Sequence, residues 1–261
     1  SQTYATLIEW LNIHYQEKAP LIHTRKSQIR IGAAQWKMRQ APTLEVLKQQ
    51  IEYFVDVFAS YNADFVLFPE FFTFPLMVQF NQDNPAQAIR DVAVYTEQIR
   101  EEMLRLAVSY NINIIAGSHP TMMPNGRVEN IAYVYLRDGT VHRQPKIHPT
   151  PDEVYWWRIE GGRSLNAIQT DCGPIGVLIC YDSEFPELAR KRQQFSMDEA
   201  ISEVVFLGVG DEIAVGHARQ PRAPEIAAGV PVFQQRSVCL DPVGYIGVAE
   251  YSTLQHGFQS T

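Results

Sequence analysis

The sequence predicts an α/β layered sandwich in which helices cover sheets of mixed strand direction. Short apolar runs alternate with amphipathic stretches of helical period along most of the 261 residues, the pattern of sheets covered by helices. Tight turn signals at Asn125-Gly126 and Arg137-Asp138-Gly139 join neighbouring strands, so the sheets are mixed rather than all parallel. No Pro/Gly/Ser-rich linker or low-complexity stretch divides the chain, which points to one main domain over 28–261 behind a short leading segment, 1–27. Pattern alone leaves open whether there is one sheet or two.

The elements follow in order. Residues 4–16 have the stripe of a short amphipathic helix, with Leu7, Trp10, Leu11 and Tyr15 on one face, and Lys18 to Ser27 read as a connector. A strand is expected over Ile29–Gln35, then a helix from about Thr43 to Tyr61 with Val46, Ile51, Phe54, Val55 and Phe58 on its apolar face. The alternation continues with a strand at 64–68, a helix over about 91–110 and a strand at 112–117, and hairpin strands fill 119–143. Strands at 166–170 and 174–179 flank the turn Asp171-Cys172-Gly173. Beyond them are expected a helix near 185–194, a strand at 203–208, a helical stretch near 217–228, and strands at 230–239 and 244–250.

Composition excludes several classes. The chain is 46% hydrophobic and 20% charged, ordinary for a globular protein, and its formal charge of −7 argues against a nucleic-acid surface. The basic clusters Arg25-Lys26 and Arg190-Lys191-Arg192 read as solvated faces. No apolar run approaches the roughly 20 residues needed to span a bilayer, and no signal peptide is evident, so a cytoplasmic setting is expected. The three cysteines Cys172, Cys180 and Cys239 have no zinc-site spacing, and an odd number disfavours a disulfide framework. No metal or cofactor is implied. The start at Ser1 fits a processed product, a trimmed chain or part of a longer polypeptide.

Three segments carry chemistry. Cys180 ends the apolar run Ile175–Ile179 and turns into an expected helix through Tyr181-Asp182-Ser183-Glu184-Phe185-Pro186-Glu187, the arrangement that pushes a nucleophile into a pocket. Glu70 ends Phe65-Val66-Leu67-Phe68-Pro69, and Lys146 follows Gln144-Pro145. Taken alone, each has a structural reading: a core cysteine, a helix-capping glutamate, an exposed lysine. Together they supply a thiol, a carboxylate and an amine from distant parts of the chain.

In this order and spacing, the three motifs resemble the nitrilase superfamily of carbon–nitrogen hydrolases, from about Ile29 to Arg190. The resemblance implies a four-layer α-β-β-α sandwich with two mixed sheets and a Glu-Lys-Cys triad that cleaves amides or nitriles. Glu153, seven positions after Lys146, matches the family's second glutamate, with Asp152 beside it as the competing carboxylate. Asn130 resembles the asparagine commonly found before the next strand. Ala34-Gln35-Trp36-Lys37-Met38-Arg39, behind the 4–16 helix, looks like a branch found fused to an acetyltransferase domain. Pro221 and Pro224 stand where family members carry a continuous helix, so the likeness thins after Arg190.

The expected roles follow from acyl chemistry. Cys180 attacks as a thiolate, Glu70 serves as base and then acid, and Lys146 with the Tyr181 backbone N–H stabilises the oxyanion. Glu153 positions Lys146 or the substrate, and Asn130 and Trp156 are candidate substrate contacts. His148 is favoured as a packed loop residue over a second base, while Trp156 and Trp157 fit either a pocket wall or a subunit contact. The expected activity is hydrolysis of a small-molecule amide, favoured over a nitrile. The alternatives are acyl transfer through the same thioester, or a non-catalytic interaction module keeping the sandwich. Homo-oligomerisation is expected, with the tail Tyr251–Thr261 as a candidate for crossing to a neighbour.

Overall fold

The computed structural model describes residues 28–34, 40–80, 84–185, 188, 203–209, 214–219, 233–237 and 247–252. The expected helix at 4–16, most of the one near 185–194, the connector 18–27, Trp36, Cys239, Pro221, Pro224 and the tail after Ser252 lie outside these residues.

Two sheets organise the described chain. The larger begins with β1 (Gln28–Ala33), β2 (Phe65–Leu67) and β3 (Asn113–Ile115), mutually parallel, and continues antiparallel through β5 (Val128–Tyr135) to β4 (His119–Met122). β6 (Val141–Pro145) and β7 (Ile159–Glu160) also pair with β5, and β12 (Gly247–Ser252) closes the edge beside β1. The smaller sheet runs β8 (Ile175–Ile179), β9 (Glu203–Val209), β10 (Ala214–Arg219) and β11 (Phe233–Ser237), parallel between β8 and β9 and antiparallel thereafter.

Strand periodicity gives the large sheet two apolar faces. Val66, Ile114, Ile131, Tyr133 and Tyr135 join Leu47, Ile51, Val55 and Phe58 of α1 (Leu44–Ser60) and Ile99, Met103, Leu104 and Leu106 of α3 (Thr96–Ser109). The alternate residues Ile29, Ile31, Phe65, Leu67, Ile115, Ala132 and Val134 pack instead against Ile175, Val177 and Ile179 of the smaller sheet. Helices therefore cover one face of the large sheet, and β8 of the small sheet packs on the other. Each fully buried aliphatic or aromatic side chain contributes roughly 1.5–3 kcal/mol. α1 starts at the Thr43 cap, whose Oγ1 accepts from Val46 N–H at 3.3 Å.

The structure corrects four expectations. The single helix over 91–110 is two, α2 (Pro85–Ala93) and α3, broken at Val94-Tyr95. At the break the Thr96 hydroxyl donates to the Ala93 carbonyl at 2.7 Å, taking the acceptor that the next helical N–H would use. Residues 166–170 form no strand, only an isolated bridge between Ile168 and Ile175. The stretch after Cys180 opens as a 3-10 turn, Cys180–Glu184, rather than an α-helix. Residues 217–219 belong to β10, where a helix was expected to start.

Candidate active site

Three strand ends and one short helix bring the site together. β2 is buried along its length and gives way at Phe68-Pro69, where Pro69 has no N–H for the ladder. Gly117 lies against this exit at φ +48; a Cβ there would stand 1.8 Å from the Pro69 carbonyl oxygen, so only glycine admits the approach. The Phe71 N–H donates to Ser118 Oγ at 3.1 Å. Glu70 is thereby held between two fixed neighbours at the head of the turn.

Lys146 emerges from β6, its N–H bonded to the Asn130 carbonyl at 2.8 Å and its carbonyl receiving Gly162 N–H at 2.7 Å. Its side chain is 1% exposed, and Nζ donates to Glu70 Oε1 at 2.7 Å and Glu153 Oε2 at 2.6 Å. Glu153 belongs to α4 (Pro151–Trp156), which opens with a capping box: Thr150 Oγ1 accepts from Glu153 N–H, and Glu153 Oε2 accepts from Thr150 N–H at 2.7 Å. The helix cap and the lysine grip are one carboxylate. Asp152 is exposed and takes no part. Asn130 bridges the two acids, its Nδ2 donating to Glu70 Oε1 at 2.9 Å and to Glu153 Oε1 at 3.1 Å.

Cys180 ends β8 at φ +46, the left-handed region that a residue with a Cβ adopts at a cost on the order of 1–3 kcal/mol. Strain of this kind is the mark of a nucleophile elbow. The turn is closed by Ser183 Oγ donating to the Cys180 carbonyl at 2.7 Å. Cys180 is half-buried, and its thiol is hydrogen-bonded to the Glu70 carboxylate. Tyr181 follows in the first turn, where N–H groups have no partner within the turn itself; its ring packs edge-on to Phe185 at 5.1 Å.

The electrostatics follow from burial and pairing. Burial pushes the Glu70 carboxyl above its usual range and Glu153 adds to the rise, while Lys146 and the Cys180 hydrogen bond hold it back. Burial alone would lower Lys146, but the two glutamates outweigh it and raise the ammonium above its ordinary value. Lys146 stays charged, and Glu70 is moved towards the range useful to a proton carrier.

The structure therefore brings Glu70, Lys146, Glu153, Asn130 and Cys180 into one cluster. Trp156 is 54% exposed and packs edge-on to Tyr155, whereas Trp157 joins Phe71 and Phe74 in an aromatic group beside Glu70. His148 stacks on Phe185 at 4.0 Å. Sequence reasoning passed over Asp182: its carboxylate, 2% exposed, accepts from Ile147 N–H at 3.1 Å, His148 N–H at 2.8 Å and the His148 ring at 3.2 Å. Burial raises the Asp182 carboxyl, and these N–H groups oppose the rise. An acid two residues after Cys180 was the available signal.

A family model described as carbon–nitrogen hydrolase matches residues 29–198. The chain is 42% identical over 188 residues to "Probable hydrolase YhcX" of Bacillus subtilis, a match covering 72% of this chain and 36% of that protein. It is 28% identical over 170 residues to a deaminated glutathione amidase of Synechocystis, covering 60% of each. The chain thus spans about a third of the first relative's length and 60% of the second's. Among solved structures, a carbon–nitrogen hydrolase from Helicobacter pylori superposes with a TM-score of 0.58 at 17% identity, covering 86% of this chain and 89% of that one. At that identity the likeness is one of fold.

Proposed function

Because this chain belongs to the carbon–nitrogen hydrolase family, we propose that it hydrolyses the amide bond of a small molecule through a Cys180 thioester, within a four-layer α-β-β-α sandwich. One observation carries the reading: Lys146 Nζ lies between Glu70 and Glu153, and the same Glu70 is hydrogen-bonded to the Cys180 thiol.

In this mechanism Glu70 takes the thiol proton as Cys180 Sγ bonds to the amide carbonyl carbon. The oxygen that becomes negative is stabilised by Lys146 Nζ and the Tyr181 backbone N–H. Collapse breaks the C–N bond, Glu70 returns the proton to the departing nitrogen, and an acyl thioester remains. A water then gives a proton to Glu70 and adds to the thioester. Breakdown releases the acid and restores the thiol. Glu153 and Asn130 touch Lys146 and Glu70, so their part is to hold both groups in place. The meeting of a thiol, a carboxylate and an ammonium in one place supports a catalytic role over a retained scaffold, which has no need of all three.

Intact-mass spectrometry of wild type and Cys180→Ala, incubated with a panel of small amides and with iodoacetamide, tests this. A single acyl or alkyl adduct on wild type, absent from the variant, is expected. An acyl adduct discharged faster by an added amine than by water redirects the reading to acyl transfer. Cys180 reacting no faster in the folded protein than in the denatured chain would sink it in favour of an interaction module.

A further inference from the structure

We propose that Asp182 is a positioning residue: its buried carboxylate fixes Lys146 in register with Cys180 across the junction between the two sheets. The inference rests on the roles given to Lys146 and Cys180 above.

Lys146 follows β6 of the large sheet, whereas Cys180 follows β8 of the small one. The sheets meet through aliphatic and aromatic side chains. Such packing is non-directional, while a catalytic group must be held within ~0.5 Å of its productive place. A directional link across the junction is therefore needed, and Asp182 supplies one. Both its oxygens accept from the segment just after Lys146: Oδ2 from Ile147 N–H, Oδ1 from His148 N–H and from the His148 ring. Asp182 itself stands in the 3-10 turn that Cys180 opens, Cys180–Glu184. One acid thus ties the turn that opens at Cys180 to the loop that presents Lys146. The His148 ring, stacked on Phe185, closes the contact from the other side, and Phe185 N–H bonds back to the Asp182 carbonyl at 3.2 Å.

A carboxylate so placed could instead act only through its charge, and the two roles predict opposite signs. A negative charge near Cys180 disfavours the thiolate, so neutralising it would speed alkylation. If Asp182 positions Lys146, the same change lets the ammonium drift from the thiol and slows alkylation. Asp182→Asn is nearly isosteric, but its amide keeps one acceptor oxygen and turns a donor towards an N–H, so the grip is broken on one side.

The test is the rate of iodoacetamide alkylation at Cys180, followed by peptide mass between pH 5 and 10 in wild type, Asp182→Asn and His148→Ala. Alkylation of buried Cys172 and a thermal melt report whether each fold is intact. The expected result is a drop of about 10-fold or more at pH 7 for Asp182→Asn, with a smaller drop for His148→Ala and Cys172 still protected. An unchanged or faster rate in folded Asp182→Asn overturns the proposal. Should Asp182→Asn lose its cooperative melt, His148→Ala is judged by the same criterion, a fall supporting and no fall overturning. A wild-type Cys180 no more reactive than in the denatured chain is a separate failure, that of the amidase reading.

Discussion

At the N-terminal end of β2 and β8, Arg137 lies between Asp64 and Asp171, at 3.3 Å from each; at the C-terminal end, Lys146 lies between Glu70 and Glu153. Both clusters set one cation between two acids; the Arg137 cluster reaches the turn before β8, while the Lys146 cluster draws its charges from large-sheet segments. At the Arg137 end, further donors serve the carboxylates, Arg30 N–H on Asp64 at 3.0 Å and Asn113 Nδ2 on Asp171 at 2.9 Å. At the Lys146 end, Glu70 is raised by burial, a thiol hydrogen-bonds to it, and Cys180 is held at a strained φ. The same charge count thus makes a hydrogen-bonded clamp at one end and, at the other, a place where a carboxylate of raised pKa lies beside a thiol.

Substituting each cation by methionine sharpens that contrast. Lys146→Met leaves two buried carboxylates facing each other, which costs about 3–5 kcal/mol. It also removes the proposed oxyanion donor, with an expected loss of turnover of about 1000-fold. Arg137→Met leaves acids that are closer to water, so the expected loss is on the order of 2 kcal/mol, with turnover per folded molecule nearly unchanged. Urea unfolding and amide turnover on both variants measure this. Equal loss of turnover per folded molecule would erase the distinction between the two ends.

Glu70→Gln separates activity from stability at the reactive end. Burial, opposed by Lys146, raises the Glu70 pKa, so the folded protein holds that proton more tightly than the unfolded chain. Stability from this group is present at low pH and is lost as pH rises through the raised value. The glutamine keeps acceptors for Lys146 and Asn130 without the buried charge. Its melting temperature at pH 7–8 is expected to equal or exceed that of wild type, while turnover falls by about 100- to 10,000-fold. A clear drop in melting temperature would mean that the Glu70–Lys146 ion pair stabilises the fold.

The parts of the site visible in sequence were those at the ends of apolar runs. Phe65–Leu67 and Ile175–Ile179 are strands buried on both sides, so Glu70 and Cys180 are placed by local pattern alone. Thr150-Pro151-Asp152-Glu153 also held the answer to which acid serves Lys146, since a capping box selects the third residue after the threonine. Other features depend on partners distant in sequence. Asp182 binds residues 34 and 35 positions away, and no periodicity carries that. The break between α2 and α3 forms where Thr96 meets His119, 23 positions on. Trp156 and Trp157 are adjacent and equal in composition; only the turn of α4 decides which one reaches the aromatic group.

His119 leaves turnover unchanged at neutral pH and tests the neighbourhood of Glu70 from behind. It is buried, with Nδ1 at 2.9 Å from Thr73 Oγ1 and Nε2 at 2.9 Å from Thr96 Oγ1. Because Thr96 already donates to the Ala93 carbonyl, Nε2 must be the protonated nitrogen and Nδ1 the acceptor from Thr73. The ring is thus satisfied only when neutral, and burial lowers its pKa to about 3. In the unfolded chain an ordinary histidine takes its proton near pH 6.5. Stability from His119 is therefore complete above that value and is lost as pH falls from about 6.5 towards 3, by roughly 1.4 kcal/mol for each pH unit in that window. Thr73 ends the turn that Glu70 begins, so the loosening reaches the base before the clamp at Arg137. Hydrogen exchange at pH 4.5 against pH 7 should show residues 70–74 and 94–97 opening ahead of 111–113 and 137. Uniform opening of both ends, or the same acid sensitivity in a folded His119→Gln variant, would assign the acid response to the ion clusters instead.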